Sequence, residues 1–97
     1  MPTYISLVNY TQQGIAKIKD SPARMDTAKK AAEAMGGKIL NVYLTMGRYD
    51  GVVVSDFPDD VTYAKFMISV ASSGFMSTET LKALNEPEFR KILGSLS

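Results

Sequence analysis

The sequence predicts a single α+β domain over residues 1–97, ordered β-α-β-β-α-β with a further helix at its C-terminus. Three observations carry this. Apolar stretches of strand length recur at 3–10, 38–46, 51–57 and 75–84. Helical periodicity fills the two long intervals between them, and Gly, Pro and small polar residues stand at the junctions.

The first strand alternates Ile5, Leu7 and Asn9 on one side with Tyr4, Ser6, Val8 and Tyr10 on the other, so both sides are at least half apolar. Thr11 then suits an N-cap for a short helical turn holding Ile15 and Ile18. Pro22 disfavours helical geometry at Ser21 and suits the first turn of a new helix, which predicts a restart capped by Asp20 or Ser21. From there to Met35 an apolar stripe of Met25, Ala28, Ala32 and Met35 lies opposite Lys29, Lys30 and Glu33, and Gly36-Gly37 stops the helix.

In the second strand Leu40, Val42, Leu44 and Met46 form an apolar side and Ile39, Asn41, Tyr43 and Thr45 a mixed one. Gly47-Arg48-Tyr49-Asp50 turns the chain into a third strand around Val52-Val53-Val54, close enough to pair as a hairpin. Pro58-Asp59-Asp60 opens the next helix, with Asp59 as cap and both carboxylates favourable at the positive end of the helix dipole. Its stripe reads Val61, Ala64, Ile68 and Ala71, widened by Met67 and Val70, and Ser72-Ser73-Gly74 closes it. A last strand follows over 75–84, where Thr78 and Thr80 suit a pleat, although Leu81, Ala83 and Leu84 could equally begin a helix. After Asn85-Glu86-Pro87, the residues Phe89, Ile92, Leu93 and Leu96 take helical spacing, predicting a terminal helix that docks on the domain.

This order makes a ferredoxin-like βαββαβ fold, a four-stranded antiparallel sheet with both long helices on one face. The other face should then be polar, yet alternate positions offer Tyr4 or Ile5, Ile39, Tyr43, Tyr49 and Val53. A bare apolar face of that size is unusual in a monomer. The expectation is a homodimer, or a higher homo-oligomer, made by stacking two sheets.

Composition narrows the chemistry. The chain has 11 basic and 10 acidic side chains, a net charge of +1, and no histidine, cysteine or tryptophan. That removes imidazole and thiolate zinc sites, Ser-His and Cys-His nucleophiles, haem anchored by His or Cys, and disulfides. Carboxylate, lysine, arginine and phenol chemistry remain. The scattered charges give no field for nucleic acid or an anionic membrane, so neither is expected as a partner. No targeting segment or bilayer-length apolar run is read, and a cytoplasmic location is the default expectation. The glycines match no phosphate-binding spacing, Asp59-Asp60 lacks the other ligands of a calcium loop, and the methionines fit core positions, so no metal or cofactor is expected.

Gly47-Arg48-Tyr49-Asp50, with Thr45-Met46 before it and a valine-rich strand and Pro58-Asp59-Asp60 after it, resembles the signature of the GYD domain family. Thr11-Gln12-Gln13-Gly14, Ser21-Pro22-Ala23-Arg24, Gly36-Gly37, Tyr43, Ser73-Gly74, Thr78-Glu79-Thr80-Leu81 and Glu88-Phe89 agree in order and spacing, so the resemblance spans nearly the whole chain. It implies a dimeric α/β barrel, built by two-sheet association, and implies no particular reaction.

The candidate catalytic residues are Asp50, Tyr49 and Tyr43. A carboxylate beside a phenol, where a strand leaves a turn, could bind an amine or act as a general base if buried. The alternative is that Asp50 accepts backbone N–H bonds to hold the turn while Tyr49 packs. Candidate ligand-binding residues are Arg24, Asn9, Asn41, Arg48 and Glu79. Arg48 could clamp an anion, pair with Asp50 or stand in solvent. Arg24 could join free backbone N–H groups at an anion site, or pair with Asp20, Asp26 or Glu79. Asn9, Asn41, Tyr43 and Glu79 would line the space between stacked sheets, or simply make a wet interface.

Three functional classes follow. The leading one is a non-enzymatic, homo-oligomeric small-ligand-binding or regulatory module. The others are a cofactor-independent enzyme of the monooxygenase or isomerase kind using Asp50 with Tyr43 or Tyr49, and a structural or partner-binding protein.

Overall fold

The computed structural model describes residues 1–96. β1 (Thr3–Tyr10), β2 (Lys38–Leu44), β3 (Gly51–Asp56) and β4 (Met76–Ala83) form one antiparallel sheet in the order β2-β3-β1-β4, the ferredoxin-like arrangement. Between them run α1 (Gln12–Ala16), a 3-10 turn at Ile18–Asp20, α2 (Ser21–Ala34) and α3 (Asp60–Ala71); α4 (Glu86–Gly94) ends the chain.

Several junctions follow directly from side-chain chemistry. Thr11 caps α1 by accepting the Gly14 N–H, and Asp59 caps α3 by accepting the Thr62 N–H. Asp20 stands at the N-cap of α2 but makes no side-chain capping bond there, so Pro22 alone sets that helix start. α2 ends where Gly36 takes a φ of 79°, a left-handed conformation that favours glycine. Gly37 is demanded by contact instead: a Cβ there would come within 2.6 Å of the Phe57 ring.

Register sorts the strand residues into two faces. Tyr4, Ser6 and Val8 are buried on the face beneath the helices and pair laterally with Ser55, Val53 and Gly51 of β3. The core concentrates at one end of that layer, where Tyr4 stacks on Tyr63 at 4.0 Å and Phe57 meets Tyr4, Tyr63 and Phe66. Ala32 closes this cluster from α2.

Three expectations are corrected here. β2 carries an irregularity between Ile39 and Asn41, so the strand changes phase: Ile39 opposes Ser55 and Val42 opposes Val53 on the covered face, while Leu40 falls at the irregularity. Ile39, Val53 and Tyr4 are therefore not on the open face. The inward side of α3 is Tyr63, Phe66, Met67 and Val70 rather than the Val61 stripe, and Val61 and Ile68 are exposed. The two aromatics carry the larger apolar area, so burying them sets the roll of the helix. Finally, α4 forms with a capping box between Asn85 and Glu88 but does not dock extensively; Phe89, Ile92 and Leu93 stay exposed. Its short link, Leu84 and Asn85, carries it past the final β4 pair, Ala83 with Thr3. The molecule is accordingly elongated, 53 × 32 × 18 Å.

Candidate functional site

Two places in the fold assemble chemistry, one on each face of the sheet. On the open face a lateral row runs Tyr43–Val52–Leu7–Glu79 across all four strands, and a second runs Asn41–Val54–Ile5–Leu81. No element of the described chain covers these rows. Five of the eight sequence-derived candidates belong here: Tyr43, Asn41, Asn9, Tyr49 and Glu79.

Tyr49 reaches over from the β2–β3 turn and donates its phenol proton to Glu79 at 2.5 Å. That hydrogen bond, helped by partial burial, raises the Tyr49 pKa, while the Arg48 charge beside it pulls the other way. The pair is a fixed hydrogen-bonding group at the rim of an apolar surface, with Tyr43 at the opposite edge of the same row.

Asp50 is engaged by the backbone. Its carboxylate accepts the Tyr10 N–H at 2.9 Å, and its own N–H donates to the Val8 carbonyl at 2.8 Å and to the Asn9 side-chain oxygen at 3.2 Å. The Asp50 carbonyl accepts from Thr45 N–H, and the Thr45 hydroxyl donates to the Tyr49 carbonyl. The Gly47-Arg48-Tyr49-Asp50 turn is thus tied to both β1 and β2. Arg48 is exposed and makes no ion pair with Asp50; the described ion pairs are Lys82–Asp60 and Arg90–Glu86.

Arg24 lies elsewhere, at the start of α2. It forms none of the ion pairs considered for it with Asp20, Asp26 or Glu79. Its guanidinium instead donates to the Lys17 carbonyl at 3.0 Å and the Ser21 hydroxyl at 3.2 Å, and it sits 4.4 Å above the Phe75 ring.

Arg24 stands at the mouth of the second place, a cleft of about 450 Å³ between the covered sheet face and helices α2 and α3. Its floor includes Val8, Val42 and Val53, its roof Ala28, Phe66 and Val70, and its walls are mostly apolar. Polar groups at its inner side were not anticipated. Ser6, Tyr63 and Thr80 close a hydroxyl triangle with sides of 2.5, 2.8 and 3.2 Å. Behind it Tyr4 donates to Asp60, which also pairs with Lys82 at 3.0 Å. Burial first, then the Asp60 hydrogen bond, pushes the Tyr4 phenol up to about 12, while the same bond and Lys82 hold Asp60 below its usual value. Ser6 alternating with Tyr4 and Val8 was a visible signal for a polar group on the buried side; its meeting with positions 63 and 80 was not.

Among the described residues no group of three carboxylates comes together to hold a metal ion, and no helix is long and apolar enough to cross a membrane.

Known proteins share this fold and sequence pattern. A Thermus thermophilus protein described as a glutamine synthetase and cystathionine beta-lyase binding protein is 33% identical over 85 residues, spanning 87% of this chain and 90% of its own. The crystal structure of TTHA0845, also from Thermus thermophilus, superposes with a TM-score of 0.56 at 21% identity, covering 88% of this chain and 95% of the other, a likeness of fold. The GYD domain pattern matches residues 4–93, taking in both faces and the turn that joins them, and the chain belongs to the GYD domain family.

Proposed function

We propose that this GYD-domain protein is a homo-oligomeric binding module that acts by associating with other proteins, with a small ligand held in the fold as effector. The open sheet face carries this reading. Ile5, Leu7, Val52, Val54, Leu81 and Tyr43 form a continuous apolar field, edged by Asn9, Asn41 and the Tyr49–Glu79 pair. A surface of that composition gains free energy by leaving water, and its polar edge can fix the orientation of what covers it. A second copy presents a self-complementary match, since a two-fold axis sets the same rows against each other.

The described binding role of the Thermus thermophilus relative supports association with enzymes as the module's use. The Asp50 carboxylate takes the Tyr10 N–H on one oxygen and so ties the turn to β1, which favours the turn-holding role of Asp50 over the enzymatic reading.

Sedimentation equilibrium at micromolar concentration is expected to give at least a dimer. Tyr43→Asp places a charge in the apolar field at a position 55% exposed in the single chain, and is expected to yield a folded monomer. A monomeric unaltered protein, or a Tyr43→Asp variant that assembles normally, refutes the reading.

A further inference from the structure

The helix-side cleft holds two groups that the fold leaves unanswered. The first is Ser55, on the cleft lining and only 2% exposed. Unlike Ser6, its hydroxyl has no hydrogen-bond partner among the described residues. No fully occluded polar side-chain atom of those residues lacks a partner, so the Ser55 oxygen keeps its access into the cleft. A buried hydroxyl facing an apolar cavity is costly unless something in the cavity bonds to it.

The second is Arg24 at the mouth. It is oriented by Lys17, Ser21 and the Phe75 ring, yet no carboxylate among the described residues pairs with it. Of the charged residues lining the cleft, Arg24 and Lys29 are cationic and Asp20 alone is anionic, so the lining is net positive. The α2 N-terminus beside it also lacks a side-chain cap.

The strand register gives the spacing between the row of Ser55 and the row beside Phe75, the ring on which Arg24 rests. Ser55 pairs with Tyr4, whereas Phe75 adjoins Met76, which pairs with Tyr10. The two rows lie six residue steps apart along β1, roughly 20 Å at the usual strand rise. Between them the floor and roof are largely aliphatic and aromatic.

We infer that the cleft is a site for an elongated apolar carboxylate, its acid group held at Arg24 and a hydrogen-bonding group at its far end meeting Ser55. A guanidinium fixed on an aromatic ring suits a carboxylate, the length suits an extended chain, and the apolar walls suit its body. This gives the ligand of the proposed module a chemical class, and it rests on that reading only in supposing that the fold holds a small effector.

The test titrates the full chain with dodecanoate, its ω-hydroxy derivative and dodecanol below their micellar concentrations, followed by calorimetry and thermal unfolding. The ω-hydroxy acid is expected to bind most tightly, and dodecanol about tenfold or more weaker than either acid, the usual scale of a charged hydrogen bond. Arg24→Ala should weaken both acids about tenfold and leave dodecanol unchanged. Ser55→Ala should remove the advantage of the ω-hydroxy group. Val53→Trp, which fills the floor, should abolish all three; Arg24→Ala, at the mouth, decides the matter if that variant does not fold.

Equal binding of acid and alcohol, acid binding that survives Arg24→Ala, or no uptake by the folded protein overturns the inference. An ω-hydroxy advantage that survives Ser55→Ala overturns the placing of the far end. Sedimentation of the same samples separates the two proposals. A dimer that takes up no acid counts against this inference alone, and a monomer that does counts against self-association alone.

Discussion

On its covered face the sheet sets Tyr4, Ser6 and Val8 against Tyr63, Phe66 and Phe57, with nearly every hydroxyl answered, whereas on its open face no helix of the described residues lies over Tyr43, Leu7 and Val52, and Glu79 takes the Tyr49 phenol at the rim. The same residue types occur on both. What differs is the company they keep, and therefore what each is worth: a phenol enclosed with Ser6 and Thr80 helps to specify one packing, while a phenol bonded to an exposed Glu79 leaves the fold nearly indifferent. The covered face holds the structure together at its aromatic end and opens into a cleft at the other. The open face is free for association.

The largest expected effect strikes the covered face. Phe57 is fully buried among three aromatic neighbours, and Phe57→Ala should cost about 3–5 kcal/mol by urea unfolding. A loss under about 1 kcal/mol would show that the aromatic end is not the anchor of the fold.

Next comes alkaline pH. The Tyr4 phenol, 3% exposed, is raised from 10.0 to about 12, so the fold favours its protonated form. Its stabilising contribution, about 2–3 kcal/mol from a two-unit shift, is whole below pH 10 and drains away as pH rises through 12. Tyr4→Phe should flatten that decline in a pH series of thermal unfolding. Asp60, held low, works in the opposite direction, its contribution lost as pH falls through its lowered pKa.

Tyr63→Phe should cost about 1–3 kcal/mol, since it leaves Ser6 and Thr80 only each other at 3.2 Å. Smallest is Tyr49→Phe on the open face, expected to shift stability by no more than about 0.5 kcal/mol because Glu79 turns to water instead. If these last two proved equal, the contrast between the faces would fail.

Much of the fold could be read locally. Thr11, Pro22, Gly36 and Asp59 mark their junctions by chemistry confined to a turn, and the four strands follow from short-range alternation. The candidate site was legible in part for the same reason: period two places Asn9 and Glu79 on sides of their strands, though nothing local says that Tyr49 will reach across to Glu79. Misreadings arose where long-range packing decides. Whether Val61 or Phe66 turns inward depends on the sheet beneath α3, and the phase change beside Leu40 depends on how β2 meets β3. The cleft left no sequence signal, because a void is made by residues from four strands and two helices failing to meet.

The projecting α4 has a practical consequence for hydrodynamics. A globular chain of this length should have a radius of gyration of about 12.5 Å, whereas this one measures 14.8 Å. Friction rises with such asymmetry, so even one copy would leave a sizing column early and pass for a larger particle. Elution volume therefore cannot count subunits in this protein; light scattering or sedimentation equilibrium, which weigh the particle without regard to its shape, can.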